Sequence, residues 1–218
     1  MKTALLFGAS GLIGGHLLNQ LIKDNNYSKI KLFVRSVPEI SDTKIEIVKT
    51  DFNNLQNYKE EIKGDDCFFC IGTTKKNSSD KNEYRRVELE VPKQVAQIAK
   101  SNSVNSFFFV SSGYADSKSS GDYLKFKGEV EEEIKRLNFT KVGIMRPSFL
   151  LGDRKEKRVG EKIGIFVFKL LSPLLLGPLK KMKPIHSKIV AKVMIRAANE
   201  NLDKNILESN EIAEVVLN

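Results

Sequence analysis

The residues able to do chemistry fall into two sets. The first is Gly8-Ala9-Ser10-Gly11-Leu12-Ile13-Gly14, a G-x-x-G-x-x-G run between an apolar segment and an amphipathic one. In such a loop Gly8 allows a sharp turn out of a strand and Gly11 lets the backbone approach a pyrophosphate. Gly14 lets the following helix pack closely on the strand. The helix then offers unpaired N–H groups and the positive end of its dipole to phosphate oxygens. This pattern reads as nucleotide binding. The second set is Ser112, Tyr123 and Lys127. A tyrosine and a lysine one helical turn apart share a face, so the ammonium can lower the phenol's pKa and ready it for proton transfer. A serine at the end of the preceding strand can hydrogen-bond a carbonyl or hydroxyl oxygen. Ser112 lies further out and is preferred for that role, while the adjoining Ser111 is expected at the cofactor. Tyr114 and Lys118 repeat the Y-x-x-x-K spacing inside the loop-like GYADSKSSGD, whereas Tyr123 opens the helical YLKFKGEVEEEIKRL, so Tyr123–Lys127 is the pair assigned.

The end of the second strand chooses between nicotinamide cofactors. An acid there would bind the ribose hydroxyls of NAD, and a cation accommodates the 2′-phosphate of NADP. The chain offers Arg35-Ser36 and no acid before Glu39, a guanidinium and a hydroxyl suited to phosphate, so NADP(H) is expected. Asp51-Phe52, after the third strand, falls where the adenine would lie.

The elements that must position these groups alternate. Apolar runs at 3–8, 29–35, 44–48, 67–72, 106–112 and 141–146 are separated by helical patterns near 12–23, 54–63, 80–101 and 122–137. The strands are solidly apolar, as in a parallel sheet covered on both faces. The alternation predicts a doubly wound α/β Rossmann fold. With 218 residues the chain is expected to form one domain over 1–218, in which 147–218 is a small elaboration on the substrate side. SKIVAKVMIRAANE reads as a helix that Ser187 could cap.

Composition sets the remaining expectations. The net charge of +9 is spread without long basic blocks, so a phosphate-bearing ligand explains it better than nucleic acid does. Cys67 and Cys70 spell C-x-x-C within CFFCIG, but on a strand they point to opposite faces, which suits neither a metal nor a redox pair. His16 and His186 lack metal-ligand spacing, and no metal is expected. Met1-Lys2 runs directly into strand-like sequence, without a cleavable signal pattern. The apolar stretch 163–179 is interrupted by Lys169, Pro173 and Pro178 and is too short to span a bilayer. A cytoplasmic protein is therefore expected.

GASGLIGG, FVRS, CIGTTKK, FVSS, YLKFKGEVE and MRPSFLLGDR together resemble the short-chain dehydrogenase/reductase superfamily. Within it they are similar to the atypical branch that holds the Tat-interacting-protein-like oxidoreductases. The resemblance implies a Rossmann fold with NADPH. It puts Gly8, Ser10, Gly11, Leu12 and Ile13 at the pyrophosphate and Arg35 at the 2′-phosphate. Ile71, Gly72 and Thr73 would lie beside the cofactor, Pro147 and Ser148 would face the nicotinamide, and Ser112, Tyr123 and Lys127 fit the catalytic roles. Two departures stand out: the long sugar-binding C-terminal domain is missing, and serine and tyrosine are eleven positions apart. The leading expectation is an NADPH-dependent reductase of a small carbonyl compound. The alternative is a non-catalytic NADPH-binding module acting through a protein partner, as in members of the branch described mainly as regulators.

Overall fold

A computed structural model describes residues 1–78, 80–152 and 177–217. The apolar stretch 163–179 lies largely outside these residues.

Seven strands form one sheet in the order β3-β2-β1-β4-β5-β6-β9, and every neighbouring pair is parallel. They are β1 (Lys2–Phe7), β2 (Tyr27–Val34), β3 (Ile45–Lys49), β4 (Asp66–Phe69), β5 (Ser106–Val110), β6 (Lys141–Arg146) and β9 (Ile206–Glu208). The order reverses between β1 and β4, which is where doubly wound sheets open a crevice for ligands. A separate two-stranded ladder joins β7 (Leu150–Leu151) to β8 (Ile185–His186).

The solid apolar runs have a simple cause. Alternate strand residues enter two different cores. Leu5, Phe7, Phe33, Cys67, Phe69, Phe107 and Phe109 face α3 (Val91–Ser101) and α4 (Asp122–Arg136). Ala4, Leu6, Leu32, Phe68 and Phe108 face α1 (Leu12–Lys23) and a helix over Ser187–Asn199, here α5. Ring stacking knits neighbouring strands, with Phe7 and Phe33 at 4.2 Å and Phe68 and Phe108 at 5.0 Å between centroids. Cys67 lies in the first core and Cys70 against the second, so the two thiols are on opposite faces of the sheet.

Three expectations need revision. The helix foreseen near 54–63 reduces to a 3-10 turn at Leu55–Tyr58, because only Leu55 and Ile62 in that stretch are buried, too few to hold a full helix. The helix foreseen over 80–101 is broken into α2 (Lys81–Arg85), a π-helical stretch Arg86–Glu90, and α3. Pro92 has no N–H to donate four residues back to Glu88, and Val91 instead reaches the Arg86 carbonyl. The C-terminal region also contributes to the second core and to the sheet. Val190, Ala191, Val193 and Met194 of α5 are fully buried, β9 extends the sheet, and α6 (Ser209–Leu217) packs beyond it. Finally, Ser187 is the first residue of α5 rather than its cap, and the helix starts without a side-chain cap.

At the N-terminal end of the sheet the Tyr27 hydroxyl donates to Asp66 Oδ2 at 2.7 Å, and Lys2 pairs with the same oxygen at 3.0 Å. Burial, reinforced by the Asp66 charge, pushes the Tyr27 phenol far above its usual range. An unfolded tyrosine loses its proton near pH 10, whereas folded Tyr27 keeps it. Folding stability from this group is thus intact below pH 10 and falls above it, by up to about 1.4 kcal/mol per pH unit. Urea midpoints measured from pH 8 to 11 should fall less steeply in Tyr27→Phe than in the wild type; equal slopes would refute the assignment. Among the described residues no helix is long and apolar enough to cross a membrane.

Candidate functional site

All the loops of interest leave the C-terminal ends of the parallel strands. The first, after β1, turns at Gly8, whose φ of +90° is strained for any other residue. A Cβ on Gly8 would also lie 2.8 Å from the backbone of Cys70 and Ile71. The Gly11 N–H donates to the Gly8 carbonyl at 3.0 Å, closing the turn, and Gly11 precedes α1 without any side-chain cap. The first N–H groups of α1 therefore have no partner from a capping side chain, and a Cβ on Gly11 would press on the Gly8 carbonyl at 3.2 Å. Ser10 and Gly11 are exposed, Leu12 is partly exposed and Ile13 is buried. An anionic pyrophosphate fits this cradle by charge and by shape. Gly152 comes close to Leu12, so the segment after β6 borders the loop.

Arg35 and Ser36 stand exposed beyond β2. After β3, Asp51 accepts hydrogen bonds from the backbone and side chain of Asn53, capping a local turn. Phe52, at φ 62°, turns its ring into the core against Phe7. What this segment offers a nucleotide is thus Asp51 and backbone rather than the Phe52 face. The Phe52 carbonyl is held by Arg86 Nη1 at 2.8 Å, and Arg86 also grips Glu83. That hydrogen bond is the largest influence holding the Glu83 carboxyl below the usual range, and Arg35 adds to it, so both guanidinium groups border this corner. Arg86 was not among the residues singled out from the sequence; nothing in its spacing marks it.

The loops after β4, β5 and β6 converge on the start of α4. Lys75 Nζ reaches Asp122 at 3.1 Å, the Asp116 N–H donates to the Leu124 carbonyl, and the Gly113 N–H donates to the Pro147 carbonyl. Gly128 permits this approach, since a Cβ there would lie 2.2 Å from the Ser117 nitrogen. Tyr123 occupies the first turn of α4 and is 38% exposed, while Lys127, one turn on, is 3% exposed. The Lys127 ammonium lies 5.9 Å from the Tyr123 ring centroid, 4.9 Å from that of Phe109, and donates to the Val110 carbonyl at 3.3 Å. Its partner is Glu88, with Nζ to Oε2 at 3.0 Å and the carboxylate only 1% exposed. Burial alone would lower the Lys127 pKa; Glu88, with help from Tyr123 and Glu131, outweighs it and holds the ammonium above the ordinary lysine range.

Ser112 is partly exposed and its hydroxyl bonds the Gly113 carbonyl at 3.3 Å. Ser111 differs: it is buried, and its hydroxyl donates to Glu131. Glu131 in turn holds Arg146 through two bonds of 2.9 and 2.6 Å. Ile71 is partly buried, Gly72 is exposed, and the Thr73 N–H donates to Glu88 Oε1. Pro147 is buried, and the Ser148 hydroxyl is tied to the Met182 and Lys183 carbonyls at 3.0 and 2.8 Å. Tyr114, exposed at φ 65°, lies in the turn after Ser112 rather than on a helix with Lys118. Glu88 escaped the sequence reading, although a signal existed: Tyr84, Glu88, Val91, Val95 and Ile98 share one helical stripe, and an acid on an apolar stripe is rarely idle.

Residues 8–201 match a family described as NAD(P)H-binding. The protein HTATIP2 of Rattus norvegicus is 34% identical over 164 residues, 73% of this chain and 67% of that protein. "Protein FMP52, mitochondrial" of Candida glabrata is 30% identical, spanning 100% of this chain and 97% of its own. Among solved structures, the Bordetella bronchiseptica enzyme WbmH in complex with NAD+ superposes with a TM-score of 0.74 at 15% identity, over 99% of this chain and 79% of that one, which shows the shared Rossmann fold. The expectation of a cytoplasmic protein is overturned here, since the relatives from Candida glabrata, Scheffersomyces stipitis and Emericella nidulans are all named as mitochondrial.

Proposed function

The chain belongs to the NAD(P)H-binding family, as an atypical short-chain dehydrogenase/reductase similar to Tat-interacting proteins, and from that premise we propose that it is an NADPH-dependent reductase of a small carbonyl compound. The observation that carries the reading is the meeting of two things at one end of one sheet. An uncapped, glycine-floored helix N-terminus lies after β1, and a buried lysine beside an exposed tyrosine lies after β5. The first suits a pyrophosphate and the second suits proton transfer beside a ribose.

Gly8, Ser10, Gly11, Leu12 and Ile13 would hold the pyrophosphate, Arg35 and Ser36 the 2′-phosphate, and Asp51 with the Phe52 backbone the adenosine. Ile71, Gly72, Thr73, Pro147 and Ser148 would border the nicotinamide half, with Ser111 bracing the wall from behind through Glu131. When bound, NADPH would be the source of the hydride that the carbonyl carbon takes up. Tyr123 gives the proton that the carbonyl oxygen takes up, Ser112 donates a hydrogen bond to that oxygen, and Lys127 holds a ribose hydroxyl. Residues 1–218 would work as one domain, with 147–218 on the substrate side.

The test is calorimetric titration with NADPH and, separately, NADH. Micromolar NADPH binding that weakens at least tenfold for NADH, about 1.4 kcal/mol, supports the reading. Binding of neither nucleotide overturns it. In Arg35→Ala the NADPH affinity should drop about tenfold while NADH binding stays unchanged, because only the 2′-phosphate contact is lost. Equal affinity of the wild type for both nucleotides would remove the assigned role of Arg35.

A further inference from the structure

Glu88 is the least expected feature of the site. It is a carboxylate 1% exposed to solvent, on a π-helical turn, and its two oxygens are divided between a loop and a helix. Oε1 accepts the Thr73 N–H from the loop after β4, and Oε2 meets Lys127 Nζ at 3.0 Å from α4. A Cβ on Gly72 would come within 3.5 Å of Oε1, so the carboxylate lies directly beneath that loop. The Lys127 ammonium is thus held from two sides, by its ion pair with Glu88 at 3.0 Å and by its hydrogen bond to the Val110 carbonyl at 3.3 Å.

We propose that Glu88 is a positioning residue for the nicotinamide half of the nucleotide, one carboxylate setting where both Lys127 and the Thr73 loop are presented. The inference rests on the nucleotide reading above and adds to it a residue that reading does not use. The groups facing Lys127 are Glu88 from the π-helical turn, Cys70 from the end of β4, and Tyr123 and Glu131 from its own helix. Tyr84 lies near enough to Glu88 for the two charges to interact. Of these, Glu88 provides the strongest support for the ammonium. Without that carboxylate, burial would favour neutral Lys127.

The experiment compares NADPH with ADP, which carries adenosine and pyrophosphate and nothing beyond them. Glu88→Gln keeps an acceptor for Thr73 and removes the charge; Glu88→Asp keeps the charge and loses the reach to bridge both partners. Each variant should lose at least tenfold in NADPH affinity and bind ADP within twofold of the wild type. In Glu88→Gln the NADPH affinity should also decline with rising pH before an ordinary lysine would titrate, because burial is then no longer offset by the Glu88 charge, while the wild type stays flat over the same range. Retained ADP binding shows that a variant has folded; if Glu88→Gln fails that check, Glu88→Asp decides. NADPH affinity like that of the wild type in a folded variant, or an equal loss of both ligands in Glu88→Asp, overturns the proposal. A wild type that binds NADPH but is unaffected by Glu88 substitution sinks this inference alone, whereas a wild type that does not bind NADPH sinks the nucleotide reading and this inference together.

Discussion

Replacing Tyr123 by phenylalanine is expected to cut carbonyl reduction by about 10²–10⁴-fold, the usual contribution of a positioned general acid, while NADPH affinity stays within about twofold. The reasoning follows from what the substitution leaves in place. The ring remains, so the contact between Lys127 and the aromatic face at 5.9 Å survives, and with it the placement of the ammonium. The exposed position of Tyr123 on the first turn of α4 means that no buried hydroxyl is left unpaired. Only the transferable proton disappears. NADPH oxidation followed by absorbance across a panel of aldehydes and ketones provides the measurement, with calorimetry for binding. Unchanged turnover in the variant would remove Tyr123 from the mechanism. A wild type that binds NADPH tightly yet reduces nothing in the panel would favour the regulatory module.

The sheet was legible because its strands are unusually apolar and its glycine loop unusually complete, so β1, α1 and β6 fall within a residue of the expected limits. Parts that depend on a long-range partner were not legible. The segment KGEVE is a case in point. On the sequence it is a helical stretch containing a catalytic lysine; in the fold Lys127 pairs with Glu88, Gly128 admits the 116–117 backbone, and Glu131 binds Ser111 and Arg146. Neither Glu88 nor Arg146 can be assigned to this segment by spacing, since they come from other elements and 39 and 19 positions away from Lys127. Ser111 shows the same limit. Position along the strand end separates it from Ser112 in the sequence, but only the fold shows its hydroxyl turned inward to the buried carboxylate of Glu131. The short β9 was missed because three residues carry no period.

Gly14→Ala should abolish measurable nucleotide binding, a loss greater than about a hundredfold, or about 2.7 kcal/mol. A Cβ at this position would sit 2.0 Å from the Gly8 carbonyl oxygen and 2.7 Å from its carbon, both backbone atoms with nothing flexible to yield. Either α1 withdraws from β1, against the fully buried Leu17 and Leu21, or the turn at Gly8 opens. Overpacking of this kind costs about 1–3 kcal/mol in stability, and the severity of the overlap points to the upper end. Opening the turn also scatters the N–H groups that would face the pyrophosphate, which is why binding suffers more than folding. Gly15→Ala is the matched control one residue along the same helix: its Cβ would meet only the Ala9 carbonyl, at an ordinary 3.5 Å. Alanine for glycine inside a helix is favourable by about 1 kcal/mol, so that variant should bind NADPH normally and melt no lower than the wild type. Normal NADPH binding by Gly14→Ala would mean that the glycine loop is a packing device and that the phosphates are held elsewhere.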